Sequence, residues 1–448
     1  MQEIKFKETE IGMIPEDWKF DVLGKHLYIK GRIGWKGLQK SEYLKDGTGV
    51  LIINGTQIQD SKMDWNDCGR VPARRYEESP EIQLKKNDIV MTKDGTLGKV
   101  AFIKELPEKS SVASGIFVIR DESGEIDPTF LFYYFKSPIF KWLIETRKEG
   151  SVIPHLYQRD FQDLLIAYPS VKEQKAIAKI LFDLDSKIEV LQQQNKVLEK
   201  IGKIIFKQWF VNFEFPNEEG NPYKSSGGEM IESEFGKIPF GWKIKSMSEL
   251  TSKFTTGLNP RKNFKFGEGD NFYVTIKNMT DNQEVILNNK CDNVDDRAIN
   301  KINARADLKK NDILFSGVAT IGRTFFIDET PVNWNINESI FTLRANKKEI
   351  TPFILYNLLL SKDFQNYSQQ LAIGSVQKGI RMVDLKNYKF ILPKIDKQKY
   401  ISLFFETIIL KQKNNVRNIN ILSKIRDRLL QELMTGKIRV PIENAKDN

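Results

Sequence analysis

Cysteine and histidine are almost missing from this chain of 448 residues, which has two of each: Cys68, Cys291, His26 and His155. Two cysteines cannot build a disulfide framework, and they fit a reducing compartment. A four-ligand Cys/His zinc site would consume all four residues at once. Long apolar runs are missing as well. No stretch reaches the roughly 18 uncharged apolar residues of a membrane helix. The longest candidate, residues 350–361, is broken by Pro352 and followed by Lys362. The opening segment MQEIKFKETE has no apolar centre and no small-residue cleavage site. No signal peptide is therefore expected, and a cytoplasmic location is.

Catalytic signatures are also absent. A phosphate-binding loop needs Gly-Lys-Ser/Thr after a glycine-rich turn. Gly-Lys occurs at 24, 98, 202, 236 and 436, and Ser or Thr never follows. No Gly-x-Gly-x-x-Gly follows a strand pattern. The Asn/Asp-Pro-Pro-aromatic loop of an amino-methyltransferase has only Asn221-Pro222-Tyr223 for comparison, without the second proline. Asp163, Glu173 and Lys175 could be spaced as a nuclease site. However, Glu173 sits in the first turn of a helical pattern after Pro169, where a carboxylate suits the helix dipole. The chain is therefore expected to have no catalytic residues, no metal site and no cofactor of its own.

What is present is base: 69 Lys and Arg against 59 Asp and Glu, a net charge of +10. With 40% apolar residues the chain can build real cores. A basic soluble protein of this kind points towards nucleic acid.

The sequence is also one unit written twice. Leu84-Lys85-Lys86-Asn87-Asp88-Ile89 recurs as Leu308-Lys309-Lys310-Asn311-Asp312-Ile313, 224 residues on (84 to 308). The same offset carries Ile14-Pro15 and Trp18 to Ile238-Pro239 and Trp242. It carries Gly98 to Gly322, Arg120 to Arg344, Pro128 to Pro352, Pro169 to Pro393 and Gln174-Lys175 to Gln398-Lys399. A period this long is a tandem domain duplication, not a solenoid.

Each copy has the same internal order. Short apolar or alternating runs at 50–53, 88–92, 99–103 and 116–120 read as strands between turn signals. A helix is expected at 128–147, capped by Asp127 with Pro128 in its first turn. The fold class is therefore α+β, mostly antiparallel. A long helix then follows in each copy. Ile177, Leu181, Leu184, Ile188, Leu191, Leu198 and Ile205 recur at spacings of three and four, the seam of a coiled coil. Asn195 interrupts it at an interior position that can fix register. Ile401, Phe405, Ile408, Ile419, Leu422 and Leu429 continue the same phase in the second copy, interrupted by Gln412 and Asn415. The domain boundaries expected are 11–168 and 235–392 for the two globular parts, 169–212 and 393–435 for the helices, 213–234 for a linker and 436–448 for a tail.

The copies diverge most in polar and basic loops, the candidate DNA contacts. In the first copy these are Arg32 and Lys36, then Asn54, Thr56 and Gln57, then Lys93 and Thr96, then His155, Tyr157 and Arg159. In the second they are Arg261 and Lys262, then Lys277, Asn278 and Thr280, then Thr320, then Gln377, Lys378 and Arg381. Arginine can grip guanine with two hydrogen bonds, and Asn or Gln can grip adenine. Lysine mostly neutralises phosphate.

Taken together and in order, these motifs resemble the specificity subunits of type I restriction–modification systems over essentially the whole chain. Ile14-Pro15-x-x-Trp18 and Ile238-Pro239-x-x-Trp242 look like the start of each target-recognition domain. Asp88-Ile89-Val90 with Gly95 and Gly98 is similar to the family's Asp-Ile-Leu…Gly…Gly element, and Asp312-Ile313-Leu314 with Gly317 and Gly322 repeats it. Pro169 with Glu173-Gln174 and Ile177 looks like the start of its conserved helix. Phe213-Glu214-Phe215-Pro216 through Gly227-Gly228-Glu229-Met230 is similar to its connector. Lys397 departs from the pattern where Glu173 stands in the first copy, and Gly317 sits earlier in its loop than Gly95. The resemblance implies two target-recognition domains, each reading half of a bipartite double-stranded DNA target. It implies that the two helices pair as an antiparallel coiled coil that sets the unread spacer. Two methyltransferase subunits and the restriction/translocase subunits would be partners. S-adenosylmethionine, ATP and Mg²⁺ would belong to those partners, and no membrane is involved. An assembly of type IIB character would use a similar recognition subunit. The isolated chain, with its helices uncovered, is expected to self-associate.

Overall fold

The repeated Leu-Lys-Lys-Asn-Asp-Ile segment folds the same way twice. Asn87 and Asn311 take left-handed backbone angles, φ 71° and 72°, a conformation that Asn tolerates better than most residues. That turn aims the next carboxylate inward. Asp88 Oδ2 accepts the Lys85 amide at 2.7 Å, and Asp312 Oδ2 accepts that of Lys309 at 2.9 Å. Arg120, on a neighbouring strand, then grips Asp88 through Nε at 2.6 Å and Nη2 at 2.9 Å. Arg344 grips Asp312 the same way at 2.7 and 2.8 Å. Both aspartates are almost completely buried.

The structure is a computed structural model that describes residues 4–32, 37–59, 61–146, 157–260, 263–280, 283–374 and 378–441. It divides into two compact units: residues up to 189 with those from 419 on, and residues 190–418.

In the first unit a four-stranded antiparallel sheet runs Val100–Phe102, Ile89–Thr92, Ile116–Asp121, Leu27–Gly31. A three-stranded sheet runs Ser110–Val112, Val50–Ile53, Gly69–Val71, and its first pair is parallel. The second unit repeats both. Its four strands are Thr324–Phe326, Ile313–Ser316, Ile340–Ala345 and Thr251–Thr256. Its three are Asp292–Val294, Asn271–Val274 and Trp334–Ile336, with Asn271–Val274 and Trp334–Ile336 parallel. Pairing is thus mostly antiparallel, and only the three-stranded sheets are mixed.

The helix expected at 128–147 is two helices, Pro128–Lys136 and Pro138–Thr146. Pro138 cannot donate to a continuing helix, and the Ser137 hydroxyl accepts the Phe140 amide to start the next one. Asp127 caps the first helix, accepting from Thr129 at 2.9 Å and Phe130 at 3.0 Å.

Both long helices are present, Val171–Phe206 and Gln398–Met434. Within each unit they run antiparallel. In the first unit Asp185 meets Arg426 at 2.9 Å. In the second, Asn415 Nδ2 donates to Asn195 Oδ1 at 2.8 Å, and Asn195 and Gln412 exchange side-chain-to-carbonyl bonds at 3.3 Å. The residues that interrupt the apolar seam are therefore partners of one another.

Helix ends complete the cores. Leu430, Leu433 and Met434 join the first unit's core beside Trp18, Phe130 and Leu181. Phe206, Trp209 and Phe210 join the second's beside Trp242 and Phe405.

The linker and tail are also part of the packing. Phe215 stacks between Tyr223 and Trp242, at 4.5 and 4.9 Å. Gly436, at φ 67°, lies so close to Pro15 that an added Cβ would come within 2.3 Å of it. Arg439 binds Glu173 at 2.6 and 2.8 Å and Asp17 at 2.9 and 2.7 Å. Residues 442–448 lie outside the described part. Among the described residues no helix is long and apolar enough to cross a membrane.

Replacing one partner of a buried, hydrogen-bonded ion pair costs about 3–5 kcal/mol. Asp312→Ala, which removes the two-bond partner of Arg344 and leaves it only Asp307, should therefore lower the stability of its unit by up to that order in a denaturant titration. Asn311→Ala should cost about 1–2 kcal/mol through the left-handed turn alone.

Candidate nucleic-acid interface

The candidate contacts follow the ends of strands, where side chains leave the sheets. In the first unit Asn54–Gln57 continue from Val50–Ile53, and 93–96 continue from Ile89–Thr92. The two loops adjoin: a Cβ added at Gly55 would stand 3.1 Å from Thr92 Cγ2. The Lys93 amide bonds to Gly115 at 2.9 Å, and its ammonium sits 5.2 Å from the centre of the Phe117 ring. Phe161 meets the same ring edge-on at 5.7 Å. Phe161 lies on the short helix Gln158–Gln162, which carries Arg159. Arg159 stacks 4.8 Å over the half-exposed Tyr157 ring. Phe117 thus lies under Lys93 and against Phe161 of the helix that carries Arg159, while Asn54, Thr56 and Thr96 lie on the two strand-end loops.

In the second unit the loop 317–320 pairs with 378–381. Ala319 donates to the Lys378 carbonyl at 2.8 Å, and Ile380 to that of Gly317 at 2.8 Å. Arg323 ties the third loop to these two, donating to the carbonyls of Ile276 at 3.3 Å and Met279 at 2.8 Å. Lys277, Thr320 and Lys378 are exposed there, and neither lysine has an ion-pair partner among the described residues. Thr280 is half-buried, its hydroxyl accepting the Glu284 amide at 3.2 Å. Arg381 is exposed but holds Asp384 with two bonds, at 2.8 and 3.0 Å.

Three expected contacts are structural instead. Arg32 is 2% exposed. Its Nε donates to the Val112 carbonyl at 3.1 Å and its Nη1 to Ser79 Oγ at 3.4 Å. Burial, and after it the charge of Arg75, lower its pKa. Gln57 is buried, its Nε2 on Thr56 and Asp67 and its Oε1 accepting the Asn54 amide. Asn278 is buried too. Its Oδ1 accepts from the Thr275 amide and hydroxyl, and its Nδ2 donates to Cys291 Sγ. An amide at the third position of a tight turn bonds back to the backbone before it can reach a ligand. Lys36, His155, Arg261, Lys262 and Gln377 lie outside the described residues.

Glu173, considered above for a nuclease, is 2% exposed on its side chain and is held by Arg439. It braces the fold. Among the described residues no group of three or more His, Cys, Asp or Glu could hold a metal ion. Two exposed lysines that no sequence pattern singles out are Lys99 and Lys141. The only signal for either is Gly98-Lys99, which fails as a phosphate loop.

These placements separate two kinds of basic residue. Arg32→Ala should lower the unfolding midpoint, reflecting the loss of the few kcal/mol expected of a stranded buried network. Its effect on DNA binding should disappear once only the folded fraction is counted. Lys277→Gln and Lys378→Gln should leave the midpoint alone. Each should reduce the slope of log affinity against log salt by about 1. Equal midpoints for Arg32→Ala and the unaltered chain would return Arg32 to the interface.

A family model described as the type I restriction modification DNA specificity domain matches residues 45–200 and again 239–423. The MjaX specificity subunit of a type I restriction enzyme from Methanocaldococcus jannaschii is 30% identical, over 98% of both chains. The MjaIX specificity subunit of that organism is 27% identical, over 98% of this chain and 97% of the other. In fold the chain is similar to the S subunit of a type I restriction–modification system from M. genitalium. The TM-score is 0.57 at 18% identity, over 93% of this chain and 96% of that one. A doubled scaffold that one family model matches twice, and relatives match from end to end, belongs to the type I restriction–modification DNA specificity family.

Proposed function

We propose that this chain is the DNA-recognition subunit of a type I restriction–modification complex, each unit reading one half of a bipartite target. The observation that carries this is the pairing of two like scaffolds with two unlike loop sets. The four-stranded and three-stranded sheets repeat in order and pairing, while Asn54–Gln57 and 93–96 correspond in sequence to Lys277–Thr280 and 317–320, with different chemistry. One framework presenting different side chains at the same strand ends is what two different half-sites require.

The chain contributes recognition and not chemistry. Base methylation, and any cleavage, belong to partner subunits, which would bring S-adenosylmethionine, ATP and Mg²⁺. The long helices offer those partners a surface. In the second unit Val197, Ile201 and Ile204 on the first helix, and Leu403 and Leu410 on the second, are 39–62% exposed. Their spacings of three, four and seven place them in stripes that a partner helix can cover. We assign methyltransferase docking to these stripes and spacer length to the helix pair.

The test is co-expression with the methyltransferase encoded beside this chain, followed by mapping of methylated adenines in the host DNA. A two-part motif with a fixed unread gap is expected. A stable complex that leaves no such motif would sink the assignment. Four residues inserted beside Asn195, opposite an equal insertion at Asn415, should change the gap and leave both half-motifs intact. An unchanged gap would remove the helices from that role.

A further inference from the structure

The first unit contains a cleft of about 770 Å³ whose lining includes none of the candidate DNA contacts. It is walled by Gln59 and Ser61, by Gly98 and Lys99, by Lys136 and Lys141 on the two successive short helices, and by Arg426 and Asp427 on the second long helix. Four of these residues are cations. Lys136 and Arg426 share Asp185 behind the wall, at 3.0 and 2.9 Å, and Arg426 also holds Asp427 at 2.7 and 2.9 Å. Those two cations are therefore balanced and fixed in place. Lys99 and Lys141 are exposed, with no ion-pair partner among the described residues. Among the described residues they leave the cleft with two positive charges that no carboxylate pairs, on walls from different elements.

The second unit has closed the same place. At the offset of 224, Leu360 stands for Lys136, Gln365 for Lys141 and Gly202 for Arg426. Gln365 fills the space, donating to the carbonyls of Gly322 at 3.1 Å and Leu359 at 2.7 Å. Arg323, the counterpart of Lys99, is turned onto the carbonyls of Ile276 and Met279. The same scaffold can thus pack this seam shut with neutral side chains. In the first unit it is open, and each substituted or redirected position carries a cation.

We propose that this cleft is a phosphate-binding site, with Lys99 and Lys141 as its primary ligands and the Lys136–Asp185–Arg426 cluster as its fixed floor. Two free ammonium groups suit a dianion or successive phosphates of a polyanion better than a single carboxylate. Gln59 and Ser61 add neutral donors. The occupant is a backbone phosphate of DNA beside the half-site that the first unit reads, or a free phosphate or nucleotide. The DNA form of the proposal rests on the recognition function above; the phosphate chemistry does not.

The experiment uses the full chain and Lys99→Gln/Lys141→Gln, with Lys99→Arg/Lys141→Arg as a charge-retaining control. Both lysines are exposed, so all three should unfold at the same midpoint in chloride. In duplex binding, the Gln pair should reduce the slope of log affinity against log salt by about 2. It should leave the preference among sequences unchanged, and the Arg pair should restore the slope. In a second arm, inorganic phosphate replaces chloride at constant ionic strength. It should raise the midpoint of the unaltered chain and not that of the Gln pair.

A change in the duplex slope supports a backbone phosphate as occupant. An effect in the phosphate arm alone supports a free phosphate. If the Gln pair matches the unaltered chain in both arms, the cleft is a solvated seam and the proposal is overturned. Failure of the unaltered chain to bind any duplex would instead count against the recognition function, and the phosphate arm would still decide the cleft.

Discussion

The buried aspartate of each repeated turn is the constraint on which each unit is built. Asp88 and Asp312 accept a backbone amide on their own turn and an arginine from a strand about 30 residues away. A carboxylate taken out of water is tolerated only when its oxygens are satisfied. Two bonds from a planar guanidinium do this with a fixed geometry. The register of Ile116–Asp121 against Ile89–Thr92, and of Ile340–Ala345 against Ile313–Ser316, is thereby tied to a single pair of charges. Once those strands are set, so are the places where Lys93 and Thr320 leave the sheet.

A second set of polar contacts acts on the helices. Apolar side chains along a helix pair favour contact but discriminate weakly among registers. Asn195, Gln412 and Asn415 bond to one another in the second unit, and Asp185 bonds to Arg426 in the first. A slip would leave these groups unpaired in a half-buried seam, so the alignment is specified where hydrophobicity alone would leave it loose. The helix ends then serve the cores. Trp18 is covered by the residues after Met434, and Trp242 by the residues after Phe206. Connector and tail are short on regular structure, yet each covers a tryptophan near the start of a unit.

Much of this was legible in the chain itself. The repeat, its offset, the strand-rich part followed by a long helix, and the polar interruptions of the seam all follow from spacing, because duplication and helical periodicity are linear properties. Asp127 and Pro128 announce a helix start for a local reason, satisfaction of the first amides. The candidate interface was legible only as loops. Lys93 and the short helix that carries Arg159 do meet at one side chain, but that residue, Phe117, is an unremarkable strand position in the sequence.

Sequence by itself determined that the molecule is a doubled α+β unit with paired helices, a basic balance and no catalytic motif, since these depend on composition and order. Tertiary structure alone decided which polar side chains remain free to act. Arg32, Gln57 and Asn278 have the same chemistry as good DNA contacts, and each is spent on a backbone carbonyl, a backbone amide or a neighbouring side chain inside its own unit. Lys99 and Lys141 carry no pattern at all and stand open in a cleft. Availability depends on what lies within 3 Å of a side chain once distant segments have packed, and no reading along the chain contains that distance.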